Sequence, residues 1–226
     1  MNNYTKKFAP FYDKGWNHFS VRVFNFFKGI IKNKDVCDVA CGTGNFIKLA
    51  KKTAKSICGI DISRDFIAYA KKENPKISFQ AINVEKWNEK NKYDLIACFY
   101  DSINHFDDWE KSFKKIYNAL RENSKFIFDI NTLEKISKWN GIYLNKVPGG
   151  HVYMESQVLS KYSAEINLKI FDQKGCLVDN VNVFEKTYPI KKVITMLKSA
   201  GFRKVKNIGN IINPKDKGRT FFECIK

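Results

Sequence analysis

Three short stretches of the 226-residue chain carry residue types suited to holding one ligand. Asp38-Val39-Ala40-Cys41-Gly42-Thr43-Gly44 follows a β-prone run and precedes apolar residues at helical spacing, so it presents bare backbone N–H groups at a helix start. Two phosphate-binding designs are absent from it. Ile47 stands where the third glycine of a dinucleotide fingerprint belongs, and no Gly-Lys-Ser/Thr sequence occurs. Asp38 would also repel a pyrophosphate and attract a cation. Asp61, 17 residues beyond Gly44, ends the next strand and can accept both hydroxyl protons of a ribose; its other reading is an N-cap for the following helix. Asn83 ends a third strand and offers an amide that can pair with an adenine edge or serve as a loop polar residue. Together these positions call for a ligand with a cationic amino-acid end, a ribose and a base, without phosphates. S-adenosylmethionine fits that description.

The elements that must position these residues alternate. Asp35–Ala40, Ser56–Ile60, Ile77–Ile82, Tyr93–Phe99 and Lys125–Ile130 read as strands, separated by helices over Ser63–Glu73, with Ser63 as N-cap, and Asp107–Arg121. This spacing predicts an α/β fold, a doubly wound, mostly parallel sheet. Ahead of it, residues 1–34 read as N-terminal cap helices, with Phe19, Val23, Phe26 and Ile30 on one buried face. Residues 35–131 form the Rossmann-like core. Within 132–188, the stretch 150–187 alternates apolar and polar residues around a Gln173-Lys174-Gly175 turn, predicting an antiparallel β insertion of about three strands. Residues 189–226 complete the sheet, with Pro189 opening a helix at its first turn, Gly201 stopping it, and two strands following at Phe202–Ile211 and Arg219–Ile225.

Composition narrows the class. Apolar residues at 44% and charged residues at 28%, with 12 Gly and 5 Pro, exclude collagenous and disordered chains. The net charge of +17 would suit an anionic partner, but only five of the 40 basic residues are Arg, so the excess Lys reads as solvated surface and a nucleic-acid partner is not expected. Six cysteines without a C-x-x-C pair, four of them in apolar runs, point to a reduced, cytoplasmic protein. No apolar run reaches the length of a membrane span, and no signal-peptide pattern opens the chain.

Asp38-Val39-Ala40-Cys41-Gly42-Thr43-Gly44, Gly59-Ile60-Asp61-Ile62-Ser63 and Tyr93-Asp94-Leu95-Ile96 resemble successive motifs of class I S-adenosylmethionine-dependent methyltransferases. The resemblance covers residues 35–131 and, more loosely, the Pro189–Gly201 helix. It implies that Asp38 and the Ala40, Gly42 and Gly44 backbone face the methionine moiety and that Asp61, with Ile62 beside it, binds the ribose. It also implies that Asn83 and Val84 flank the adenine, Asn83 standing where Asp is commonest, and that Phe99 lies near the sulfonium. Methyl transfer needs alignment, water exclusion and removal of a proton more than many catalytic groups. His105, in the segment after the fourth strand, is the candidate base or acceptor-orienting group, its plain reading being a loop histidine satisfied by backbone. Tyr12, in a Phe11-Tyr12-Asp13 element similar to one in amino-sugar N-methyltransferases, is the second catalytic candidate; it could equally pack the cap helix. The insertion matches an acceptor lid in position, with His151, Tyr153 and Tyr162 as lid candidates. The expected reaction is methylation of nitrogen or oxygen on a small metabolite, such as a sugar or natural-product intermediate, by a monomer or homodimer using no metal. An RNA methyltransferase and a non-catalytic cofactor binder are the alternatives.

Overall fold

Strand and helix runs alternate along the chain, and a computed structural model describing residues 4–226 shows how they stack. Two helices lead, α1 (Ala9–Gly15) and α2 (Asn17–Ile31). Then come β1 (Asp35–Val39), α3 (Asn45–Ala50), β2 (Ser56–Asp61), α4 (Arg64–Glu73), β3 (Ser78–Ala81), β4 (Tyr93–Cys98), α5 (Trp109–Ala119) and β5 (Leu120–Asn131). The five strands pair in parallel in the order β5-β4-β1-β2-β3. After β5 lie the short α6 (Leu133–Ile136) and four strands, β6 (Gly141–Val147), β7 (Gly150–Ser160), β8 (Ser163–Asp172) and β9 (Leu177–Lys186), in a separate antiparallel sheet. The chain then forms α7 (Ile190–Ala200), β10 (Lys204–Gly209) and β11 (Arg219–Ile225); β11 joins β5 antiparallel and carries β10 on its outer edge. Because β1 lies beside β4, the chain leaves these two strands in opposite directions, and a crevice opens at their carboxyl ends.

Successive strand residues face opposite sides, so both faces of the parallel sheet are covered. Ile96, Cys98, Phe126 and Phe128 pack with Trp109 and Phe113 of α5 and Val193 and Leu197 of α7. Leu95, Ala97 and Ile127 pack on the other side with α2 and α3. A third core joins Phe8 and Ala9 of α1, Phe66 of α4, and Val152, Ile170 and Val181 of the insertion sheet. The N-terminal helix therefore bridges α4 and the insertion.

Several sequence expectations shift. The buried stripe of α2 is Phe19, Val23, Phe27 and Ile31, while Phe26 is 55% exposed and Ile30 is only half-buried. Steps of four residues trace the ridge that meets Phe99 and Phe221, whereas the expected face changed step at Phe26. The alternating stretch 150–187 does form three strands, β7, β8 and β9, and a fourth, β6, precedes them; it went unread because its residues are mostly exposed and show no buried alternation. Pro189 is the N-cap of α7, one position ahead of its expected place in the first turn. Ser63 does cap α4, accepting from the Phe66 N–H at 3.2 Å. Among the described residues no helix is long and apolar enough to cross a membrane.

Candidate active site

The turn after β1 bends sharply, with positive φ at Ala40 (58°), Gly42 (55°) and Gly44 (83°). Glycine at 42 relieves strain and clearance together, since a Cβ there would lie 3.3 Å from the Tyr12 ring. At Gly44 the corresponding atom would meet the Phe79 ring at 3.3 Å. The turn is tied to β2 by Asp61, whose two oxygens accept the Gly42 and Ser63 N–H groups, each at 2.8 Å. Asp61 is 9% exposed and Asp38 only 3%. Among the described residues the Asp38 carboxyl has no hydrogen-bond donor, and burial, followed by the charge of Asp61, pushes its pKa well up. Burial likewise raises Asp61, against the pull of its backbone donors. Two adjacent buried carboxyls with unused lone pairs suit a ligand that brings positive charge and hydroxyl donors. Asn83 spends its amide oxygen on the Glu85 N–H at 2.8 Å, capping a one-turn 3₁₀ helix at Val84–Lys86. This is the loop role that its position also allowed, and it leaves the amide N–H groups as donors.

These elements border a cavity of about 460 Å³. Ala40, Gly42, Asp61, Ile62, Asn83 and Val84 line one side, and Tyr100, Asp101 and His105 another. Tyr4, Phe8, Tyr12 and Trp16 close it from the N-terminal segment, while Met154, Ile166, Leu168, Val183, Phe184 and Glu185 close it from the insertion. A small cavity of about 30 Å³ shares Tyr12, Trp16, Ala40 and Tyr100, and there Asp38 and Phe99 lie. Phe99 also stacks on Phe27 at 5.6 Å and meets Phe46 edge-on. Gly44 borders neither space. His151, Tyr153 and Tyr162 lie outside the cavity lining: Val152 packs into the third core and Met154 reaches the cavity, while Tyr162 lies in the turn between β7 and β8 and is 41% exposed.

Tyr12 stacks on Trp16 at 5.5 Å and tilts against Phe66 at 5.1 Å. Burial raises its phenol pKa, so the hydroxyl keeps its proton and serves as packing surface or hydrogen-bond partner, not as a base. The next residue, Asp13, pairs with Lys48 of α3 at 2.7 Å, and its carbonyl accepts from Asn45 at 3.0 Å, which anchors α1 over the glycine turn.

The segment after β4 is held by a network not anticipated from the sequence. Tyr100 (φ 66°) and Asp101 (φ 50°) adopt left-handed backbone, and Asp129 of β5 accepts both their N–H groups at 2.8 and 3.0 Å. Arg219 of β11 bridges Asp129 and Asp101 and lies over the Phe19 ring at 4.8 Å. Asp129 is raised to about 6 by burial, partly offset by Arg219. His105 contacts the Phe184 carbonyl through Nδ1 at 3.1 Å. A carbonyl only accepts, so Nδ1 carries the proton and neutral His105 keeps a lone pair on Nε2. Burial lowers its pKa and favours that neutral form. Nε2 is 3.9 Å from Oε1 of Glu185, a β9 side chain only 2% exposed whose Oε2 accepts from Asn131 at 2.8 Å. The nearest ligand atoms of Asp101, His105 and Glu185 lie within 4.8 Å of one another, a donor set open in principle to a cation. Asp129, Arg219 and Glu185 carried no local sequence signal, because three strands far apart in the chain, β5, β11 and β9, bring them together.

Residues 36–123 match the methyltransferase domain family. Among curated proteins, malonyl-[acyl-carrier protein] O-methyltransferase 1 of Ilyobacter polytropus is 31% identical over 116 residues, covering 49% of this chain and 43% of that protein. The chain spans about half the length of several curated relatives that it matches. Among solved structures, an S-adenosylmethionine-dependent methyltransferase of Clostridium acetobutylicum superposes with a TM-score of 0.79 at 23% identity over 97% of both chains. CalS10 of Micromonospora echinaspora, an amino pentose methyltransferase solved with S-adenosylmethionine bound, does so with a TM-score of 0.71 at 14% identity, covering 94% of this chain and 92% of that one. Residues 36–123 thus match a methyltransferase domain, and the chain as a whole shares the fold of these two solved structures.

Proposed function

We propose that this chain transfers a methyl group from S-adenosylmethionine to nitrogen or oxygen of a small metabolite. The observation that carries the reading is the pair of buried carboxyls, Asp38 and Asp61, at the carboxyl ends of adjacent strands beside the cavity. Asp38 would take the ligand's ammonium and Asp61 its ribose hydroxyls, with Ile62, Asn83 and Val84 around the base and Ala40 and Gly42 close to the methionine end. Gly44 and Phe99 would act behind them, the first by shaping the turn and the second by packing. The bound sulfonium supplies an activated methyl group.

The chain's own residues then have two tasks. Tyr12, with Tyr4, Phe8 and Trp16, covers the cavity and excludes water. His105 holds an unprotonated Nε2 toward the acceptor side and can orient or deprotonate it. Residues 1–34 and 132–188 would thus work as cap and lid on the 35–131 core, with 189–226 completing it. The cavity volume and the likeness to an amino pentose methyltransferase support a small acceptor such as a sugar or natural-product intermediate, in a cytoplasmic monomer or homodimer. The +17 charge favours one competing reading, RNA as acceptor. Incubation with S-adenosylmethionine and a panel of amines, alcohols and tRNA, following S-adenosylhomocysteine, tests both. Turnover with a small amine or alcohol supports the proposal, turnover with tRNA alone replaces it, and binding without turnover on any arm makes the chain a cofactor-binding protein.

A further inference from the structure

The acceptor side of the cavity gathers several hydrogen-bond acceptors. Oε1 of Glu185 faces it without a hydrogen bond among the described residues, Nε2 of His105 presents a lone pair, and Asp101 stands beside them. Three carboxyls gather here, those of Asp101, Asp129 and Glu185, against two fixed cations, Arg219 and Lys135. Arg219 is spent on Asp101 and Asp129. One negative charge is left without a protein partner, and the carboxyl it falls to is Glu185. A deficit of one charge matches a monocation; a divalent ion would leave an excess beside the Arg219 guanidinium.

From this geometry, and resting on the methyltransferase reading above, we infer that Glu185 selects an acceptor that enters as an ammonium ion and takes the proton that the amine must lose before attack. Oε1 receives the proton as the N–H bond breaks, and the freed lone pair forms the N–C bond while the C–S electrons return to sulfur. The methylated product leaves as an ammonium, and the proton on Glu185 is the one released overall. An alcohol brings no charge to offset the carboxylate, so the same side chain works against oxygen acceptors. Burial pushes the Glu185 carboxyl well above its ordinary pKa, which makes the carboxylate a stronger acceptor for the proton that the amine gives up. Other titratable neighbours are Asp101, His105 and, from the N-terminal segment, Tyr4, whose phenol burial holds neutral.

The test titrates benzylamine and benzyl alcohol into the full chain loaded with S-adenosylhomocysteine, wild type beside Glu185→Gln. Wild type is expected to bind the ammonium about tenfold or more tightly than the alcohol, a difference of about 1.4 kcal/mol. The preference should widen with rising pH as Glu185 ionises, and Glu185→Gln should lose it while binding S-adenosylhomocysteine like wild type. Equal affinity for both probes in wild type, or an undiminished preference in a Glu185→Gln chain that still binds S-adenosylhomocysteine, overturns the inference. So does manganese(II) binding that displaces benzylamine and depends on Glu185. Should Glu185→Gln fail to fold, the wild-type pH dependence decides, a flat profile counting against. If S-adenosylhomocysteine does not bind wild type at all, the methyltransferase reading fails, and the probe preference measured on the unloaded chain judges Glu185 separately.

Discussion

A carboxyl at 3% exposure with no donor, as at Asp38, costs folding free energy that a cationic ligand would return. Asp38→Asn is accordingly expected to raise the Tm of the ligand-free chain by about 3 °C, at roughly 2–4 °C per kcal/mol for a chain of this size, while weakening S-adenosylhomocysteine binding. Thermal scans with and without that ligand measure both effects. Asp61→Ala should cut affinity about tenfold or more, since it removes the proposed hydroxyl acceptor and frees the Gly42 and Ser63 N–H groups, which calorimetric titration would register. The placement of both aspartates was legible in the sequence because each sits at or next to a strand end whose position follows from local pattern. Glu185 was not, since nothing in Phe184-Glu185-Lys186 separates a buried carboxyl from an edge-strand charge until β9 is placed against His105.

Among the elements, β11 and α1 carry the burden of shaping the cavity. Arg219 of β11 fixes the left-handed turn at Tyr100 and Asp101 through Asp129, so Arg219→Leu should cost about 3–5 kcal/mol by stranding two buried carboxyls. Denaturant unfolding reads this directly, and Arg219→Lys should recover part of the loss. Deleting residues 1–14 removes α1 from the third core but touches neither core of the parallel sheet. The truncated chain should still unfold cooperatively and bind S-adenosylhomocysteine about tenfold more weakly; unchanged affinity would deny α1 its covering role. The parallel strands and Ser63 cap could be read ahead of the structure because apolar runs and a capping residue are local signals. The α2 face and β6 could not: the first depends on which ridge meets Phe99, and the second is an edge strand with little burial to pattern it.

For the molecule as a whole, the clustered carboxyls set the pH dependence of stability. Asp38, Asp61, Asp129 and Glu185 all have folded-state pKa values above those of the unfolded chain. Each therefore contributes stability that is fully present below the unfolded carboxylate pKa and lost as pH rises through the folded one, about 6 for Asp129. Asp101, held low by Arg219, acts in the opposite sense, its contribution being lost only at more acidic pH. The Tm of the ligand-free chain should thus rise as pH falls from about 7 to about 5, and a scan showing the reverse would contradict the burial of these groups. The most direct measurement is calorimetric titration of the full chain with S-adenosylhomocysteine and, separately, with NAD. One-to-one saturable binding of S-adenosylhomocysteine that Asp61→Ala weakens about tenfold or more, with no heat from NAD, is the predicted result; NAD binding as tight, or no S-adenosylhomocysteine binding, would contradict it.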